Sequence, residues 1–578
     1  MARLDPHSYN DSDQPEVRAL DWIARVEFAT QTLHAEARLT LRAPGAGPLD
    51  LDTRGLTIER VTDEAGAPIV YLLGPPDPIL GARLRLELPP GSSEVRITYR
   101  TAPDASALQW LPAPFVYSQC QAIHARSIVP LQDTPRLRIT YRARLTVPRA
   151  LQALMGAAFV SREEEGELAH VTHLMMEPIP PYLLALAVGE LAAHELGPRS
   201  RVWAAPEVLA RAAWEFAGVD ELVCAAEALF GPYPWGRFDL LVMPPSFPYG
   251  GMENPRLAFV TPTLLAGDRS LQNVVAHELA HAWTGNLVTN ASAEHFWLNE
   301  GFTVFAERRI LEAVAGPRIA ALHAAAGRRA LDHALADLAD RPGLTCLRTH
   351  LSGIDPDEAF SRVPYEKGYL FLRALEDLAG RARFDQFLRR YLDTHRFQSL
   401  TTGQFGAFLA AELPEAAALD VAAWLEAPGL VLPAAPAEVC GEPAPGWSAL
   451  EWQRYLEDLP SPLSATIAQD LEQRFQLSNS PSCEVLVAWL TRAIEAGHAP
   501  ALARTEALLA EIGRIKYLKS LYIALAKNPA TRARAGALFR QHRARYHFLA
   551  RSVLGKMLRQ LQVPIEQVNP VSLSKRPL

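Results

Sequence analysis

Residues 277–281 read His-Glu-Leu-Ala-His, and on a helix two imidazoles at that spacing can share one ion. There they lie within about 40° of each other, one turn along the axis. Both ring nitrogens then reach one ion at about 2.0–2.1 Å. Glu278 sits beside them, placed to reach a metal-bound water without competing for the metal. The flanks agree: Ser270 is positioned as a cap, and Leu271, Val274, Val275 and Leu279 give one side an apolar face. The pattern predicts a helix over 270–287.

Glu300 follows His281 within Leu298-Asn299-Glu300-Gly301-Phe302, at the start of a second predicted helix, 296–315. A lone Glu there is ordinarily just favourable with the helix dipole. Two neutral imidazoles and one carboxylate, however, leave the fourth zinc position open to water, as catalysis requires. Glu307, two turns beyond Glu300, reads either as plain helix surface or as a group that hydrogen-bonds a metal ligand.

At 578 residues the chain is too long for one core, and three or four domains are expected. Apolar and charged fractions of 49% and 21% are ordinary for globular proteins and exclude a disordered or coiled-coil chain. Lys+Arg 57 against Asp+Glu 64 gives a net charge of −7, so neither nucleic acid nor an anionic membrane is an expected partner. The five cysteines are scattered, odd in number and lack a C-x-x-C pair, which fits reduced cytosolic thiols better than a disulfide framework. Met1 to Trp22 has no apolar signal core, and no apolar run is long enough to span a bilayer. A cytoplasmic location is expected.

The first part, 1–192, reads as a β domain: Leu33, Ala35, Ala37, Leu39 and Leu41 alternate with polar residues, as do Leu84, Leu86 and Leu88 and the run Leu137 to Val147. Helical spacing dominates 193–430, beginning with one predicted helix over 207–230. A proline-rich stretch, 431–446, reads as a linker. The remainder, 447–578, shows short amphipathic helices such as 485–496 and 501–512, closed by Gly497 and Gly513, and suggests stacked solenoid-like pairs.

His-Glu-x-x-His followed by Glu300 resembles the gluzincin aminopeptidases. Pro248-Tyr249-Gly250-Gly251-Met252-Glu253-Asn254-Pro255 is similar to their exopeptidase motif, and Pro244 to Glu300 is similar to the leukotriene A-4 hydrolase and aminopeptidase B branch. Likeness extends through Ser118-Gln119-Cys120-Gln121-Ala122 and Val363-Pro364-Tyr365-Glu366-Lys367-Gly368. The resemblance implies a multidomain α+β architecture: an N-terminal β-sheet domain, a thermolysin-like zinc domain and a C-terminal α-helical, solenoid-like domain.

It also implies roles. Zn2+, one per chain, is held by His277, His281 and Glu300; Glu278 is the general base, and Tyr365 hydrogen-bonds the oxyanion. Glu253 is the natural counter-charge for a substrate's free α-amine, which is largely cationic at pH 7. Gly250, Gly251 and Met252 let backbone pack against an extended peptide, and Gln119 and Gln121 join that site. Asp357 matches an aspartate deep in the pocket for the first side chain, where it would favour Arg or Lys; on its own, Asp355-Pro356-Asp357 reads equally as a solvated turn. Arg514 and Lys516 match residues that bind the carboxylate of a short peptide, though a basic helix start is usually surface.

The expected activity is removal of the N-terminal residue from short peptides. Two alternatives stand beside it: an epoxide hydrolase of leukotriene A-4 type, and an inactive relative that only binds peptides. Phe360 replaces a tyrosine beside the lipid pocket, which weakens the first. The intact base Glu278 weakens the second.

Overall fold

The computed structural model describes residues 3–432, 441–444 and 446–565; most of the expected 431–446 linker lies outside the described residues. These form two compact units, one from the described parts of 1–242, 251–260 and 271–437, the other from 243–250, 261–270 and 438–578.

The first unit opens with an eight-stranded sheet. Val17–Glu27 pairs antiparallel with Thr32–Thr53 and parallel with Ile139–Pro148. Alternation decides the register: Leu33, Ala35, Ala37, Leu39 and Leu41 are all buried, as are Leu84, Leu86 and Leu88 on a neighbouring strand. A one-residue slip would turn that whole set to solvent. Two large buried aromatics pair their polar atoms, with Trp22 Nε1 donating to Tyr99 Oη at 2.9 Å and Tyr99 donating to the Ile128 carbonyl at 2.7 Å. In a four-stranded sheet Leu186–Gly189, the last of its strands along the chain, lies between Phe115–Ser118 and Gln152–Met155, and Ala192–Glu195 begins a separate five-stranded sheet.

Near the N-terminus Asp5, His7, Ser8 and Asn10 are buried; Ser8 donates to Asp52 at 2.7 Å, and the fully buried Arg126 donates to the His7 carbonyl at 2.7 Å.

Two helix expectations are corrected. The predicted 207–230 helix is two, Pro206–Glu215 and Val219–Phe230, broken ahead of Gly218. The metal-motif helix is Gln272–Ala280, shorter than 270–287, and Ser270 does not cap it: its hydroxyl has no hydrogen-bond partner, and its N–H instead closes a turn on Asp268 at 2.9 Å.

Trp297–Ala315, which carries Glu300, crosses Val363–Ala379, which carries Tyr365, at a pair of glycines. A Cβ added to Gly301 would stand 2.8 Å from Gly368 Cα, so the backbones meet with no side chain between them. Glu300 is adjacent to that crossing and Tyr365 is one turn from it on the same face. Arg138, buried, fastens the sheet domain's Ile139–Pro148 strand to this layer by donating to the carbonyls of Asn286, Leu287 and Gln398.

In the second unit, the helices Ala449–Asp458, Cys483–Glu495, Ile515–Lys527 and Phe548–Gln560 pack successively, and Ala499–Glu511 packs on Arg532–His542 in a second layer. Gly497 closes its helix with φ +69°. Gly513 does not act as a left-handed cap; an added Cβ there would stand 2.4 Å from the Ser246 carbonyl oxygen, so it serves close backbone packing. Among the described residues, no helix is long and apolar enough to cross a membrane, and Cys120, Cys224, Cys346 and Cys483 are free thiols.

Candidate functional site

His277 Nε2 and His281 Nε2 face each other at 3.3 Å, and Glu300 Oε2 lies 3.3 Å from the first and 3.7 Å from the second. The opposite ring nitrogens select the tautomers of the neutral rings. His277 Nδ1 is 3.0 Å from Glu307 Oε2, and His281 Nδ1 is 3.1 Å from the Thr284 carbonyl, so in the neutral form each Nδ1 carries the proton and each Nε2 presents a lone pair.

Two lone pairs and a carboxylate converging is repulsive unless a cation completes the set. Glu300 Oε2 is buried and receives no hydrogen bond despite its neighbours. Two nitrogens on one tetrahedral ion at about 2.0–2.1 Å stand about 3.3 Å apart, which matches the pair. The residues fit a divalent zinc.

The electrostatics agree. Burial alone would lower the proton affinity of His277, but Glu300 and Glu307 carry it well above the usual range. Burial pushes His281 down to about 4. Burial would raise Glu300, yet His281 and His277 hold it below the ordinary carboxylate range. The carboxylates that favour a proton on His277 equally favour a metal cation in its place.

Glu278 is buried beside this cluster and does not enter the His277, His281, Glu300 set. Burial, then the charges of Glu253 and Glu300, hold its proton affinity well above the usual carboxylate range. Its carboxylate packs on Gly251, where a Cβ would stand 2.3 Å from Glu278 Oε1; only glycine leaves room for it. Tyr365 stacks on His277 with ring centroids 6.2 Å apart, and burial followed by the Glu300 charge keeps its phenol protonated.

Gly251–Met252 forms a short edge strand antiparallel to Leu257–Val260, and it delivers Glu253 to the cluster. One oxygen or nitrogen from each of Glu253, Glu278 and His281 lies within 4.8 Å of the others. Burial and the Glu300 charge push Glu253 up to about 8. Gln121 Nε2 donates to Glu253 Oε1 at 3.3 Å. Gln119 contacts the Met252 sulfur at 3.0 Å, and its own Oε1 is buried without a partner.

An apolar cavity adjoins this cluster, lined among others by Gln121, Phe296, Leu347, Phe360 and Pro364. Asp357 is flanked by cavity residues and accepts from His124 Nε2 at 2.9 Å, so it is not the free solvated turn its motif allowed. In the second unit, Arg514 lies against Gly250, where a Cβ would stand 2.7 Å from its Nη2. Its Nη1 donates to Tyr517 Oη at 2.8 Å and stands 3.6 Å from Glu484, while Lys516 Nζ is 2.6 Å from Glu484.

Sequence reasoning missed several supports. Asn286 Nδ2 donates to the Glu253 carbonyl at 2.7 Å, and Asn299 Nδ2 to Tyr182 Oη at 3.2 Å. Asn299 was readable only as the neighbour of Glu300; Asn286 and Tyr182 carry no local signal.

Comparison with known proteins places this geometry in context. Residues 216–426 match the peptidase family M1 domain, and residues 447–558 match the C-terminal domain of leukotriene A4 hydrolase. The chain is 35% identical to a leukotriene A-4 hydrolase of Xenopus laevis, over 96% of this chain and 99% of that protein. It is 37% identical to a leucine aminopeptidase 2 of Neosartorya fischeri, over 83% of this chain and 85% of that one. A yeast LTA4 hydrolase solved with bestatin superposes with a TM-score of 0.88 at 30% identity, covering 96% of this chain and 97% of that one.

Proposed function

The chain belongs to peptidase family M1, in its leukotriene A4 hydrolase branch, and from that premise we propose that it removes the N-terminal residue from short peptides with a free amine. It is a zinc-dependent metallo-aminopeptidase with one zinc per chain, for which His277, His281 and Glu300 are the ligands. Zinc bound there supplies Lewis acidity and a water activated at neutral pH.

Glu278 accepts the proton of the attacking water and delivers it to the leaving amine; a carboxyl with raised proton affinity suits both halves of that task. Tyr365, protonated, donates to the oxygen that gains charge in the transition state. Glu253 holds the substrate's α-ammonium, with Gln121 orienting its carboxylate and Gln119 beside Met252. Gly250 and Gly251 admit the peptide backbone. Asp357 favours a basic first side chain, and Arg514 and Lys516 take the far carboxylate.

The observation that carries this reading is the closeness of Glu253 to Glu278 and His281, within 4.8 Å. An amine anchored that close to the base leaves room for one residue ahead of the scissile bond, which makes the enzyme an exopeptidase. The same reading divides the chain into a β domain (1–192), a catalytic domain (193–430), a linker (431–446) and a helical domain (447–578), and sets it in the cytoplasm without nucleic-acid or membrane partners. Epoxide hydrolysis is the second reading, favoured by the apolar cavity and by the hydrolase relative. A panel of aminoacyl-arylamides, assayed with and without a chelator, tests the main reading: chelator-sensitive release from free-amine substrates supports it, and its absence overturns it.

A further inference from the structure

We infer that His124 is a positioning residue for substrate selection: it fixes Asp357 so that one carboxylate oxygen is kept for a cationic first side chain. The inference rests on the aminopeptidase reading and adds a residue to it. His124 is a buried histidine well away in sequence from the metal motif, and the hydrolytic chemistry has no use for it.

Its contacts determine where its proton is. Arg54 Nη1 lies 3.1 Å from His124 Nδ1, and a guanidinium can only donate. The Ser106 hydroxyl reaches the same nitrogen at 2.8 Å. Nδ1 is therefore an acceptor and carries no hydrogen, so the ring proton sits on Nε2. That nitrogen is 2.9 Å from Asp357 Oδ2 and donates to it. The ring is a fixed-tautomer spacer, since a proton on Nδ1 would confront the guanidinium.

The arrangement treats the two oxygens of Asp357 differently. Oδ2 is satisfied by His124, while Oδ1 is buried and has no hydrogen-bond partner. Residues on both sides of the pair line the cavity: Gln121, Ala122 and Ile123 lead into His124, and Pro356, Ala359 and Phe360 bracket Asp357. Gln121 also touches Glu253, so the cavity begins where the substrate amine is held. An unmet carboxylate oxygen beside a cavity whose walls are mostly apolar, with Asp5, Asn290 and Thr349 among the polar exceptions, is the complement of a guanidinium or ammonium at the end of an aliphatic stem. Held by His124, Asp357 would take Arg or Lys, whose stems the cavity walls cover.

The test compares Arg-, Lys- and Ala-arylamides on the zinc-loaded full-length enzyme, reading the ratio of kcat/KM for Arg to that for Ala. The wild type should prefer Arg. His124→Leu should lower the ratio about tenfold, mainly through KM, because a charge-assisted contact is lost in the bound state. His124→Gln, which can present an N–H where Nε2–H stood, should restore most of it. Asp357→Asn should lower the ratio similarly, and the double variant with His124→Leu should lose no more than either alone. Equal losses for Arg and Ala substrates in His124→Leu, with no rescue by Gln, would make His124 a structural residue and overturn the inference. A wild type that cleaves Ala-arylamide without preferring Arg or Lys would overturn it and leave the aminopeptidase reading intact. Failure to cleave any arylamide would overturn both.

Discussion

Glu307 Oε2 stands 3.0 Å from His277 Nδ1, and burial, which would raise the carboxyl, is outweighed by that hydrogen bond and the His277 charge. The contact orients the ring and commits its other nitrogen to the metal.

Glu307→Gln should therefore weaken zinc binding by about ten- to a hundredfold while leaving the three ligands in place. Titration against a chromophoric chelator measures it. An unchanged affinity would make Glu307 ordinary helix packing.

Glu278→Gln keeps the shape of the side chain and removes the base. Zinc content should stay near one per chain while kcat falls by about 10²–10⁴-fold. Metal analysis and turnover on the same sample decide it, and near-wild-type kcat would sink the assignment.

Glu253→Gln removes the counter-charge for the substrate amine. Free-amine peptides should lose about tenfold or more in kcat/KM, since a charge-assisted hydrogen bond is lost in a buried site. N-acetylated peptides should already be poor substrates of the wild type. Equal cleavage of blocked and free peptides would mean an endopeptidase.

Arg514→Ala should penalise tripeptides by roughly ten- to two-hundredfold in kcat/KM and largely spare uncharged arylamides, because only the former bring a carboxylate to pair with the guanidinium. Lysine there should restore part of the rate. Equal losses on both substrates would assign Arg514 to stability, as its contacts with Glu484 and Tyr517 would permit.

Glu484 supplies a pH-dependent stability. Burial would raise its carboxyl, but Lys516 and Arg514 hold it at about 2, below the ordinary 4.5. A depressed acid stabilises the fold above the unfolded value and loses that contribution as pH falls through the folded one. The window is pH 4.5 down to 2, and the difference amounts to about 3 kcal/mol. Denaturant melts of wild type and Glu484→Gln should differ at pH 7 and converge toward pH 2; a gap that does not vary with pH would refute the linkage.

Legibility in the sequence followed the range of each interaction. His277, Glu278 and His281 are fixed by helical period, and Leu33 to Leu41 by strand alternation, so both could be read locally. Glu300 needed a spacing, and Glu253, Tyr365 and the glutamines needed resemblance. The contacts of His124 with Asp357, of Arg138 with Asn286 and of Arg126 with His7 join residues far apart along the chain, and no window of sequence contains them. The break ahead of Gly218 and the idle hydroxyl of Ser270 show the other limit: a competing turn outcompeted a plausible cap, and a short turn interrupted a continuous apolar period.

The glycine crossing of the Glu300 and Tyr365 helices gives the site a common datum. Glu300 and the phenol opposite it are both measured from one backbone contact, not through a chain of intervening side chains whose small displacements would accumulate. The separation of those two groups is therefore set at one point of the scaffold, and a side chain introduced at Gly301 or Gly368 would change it directly.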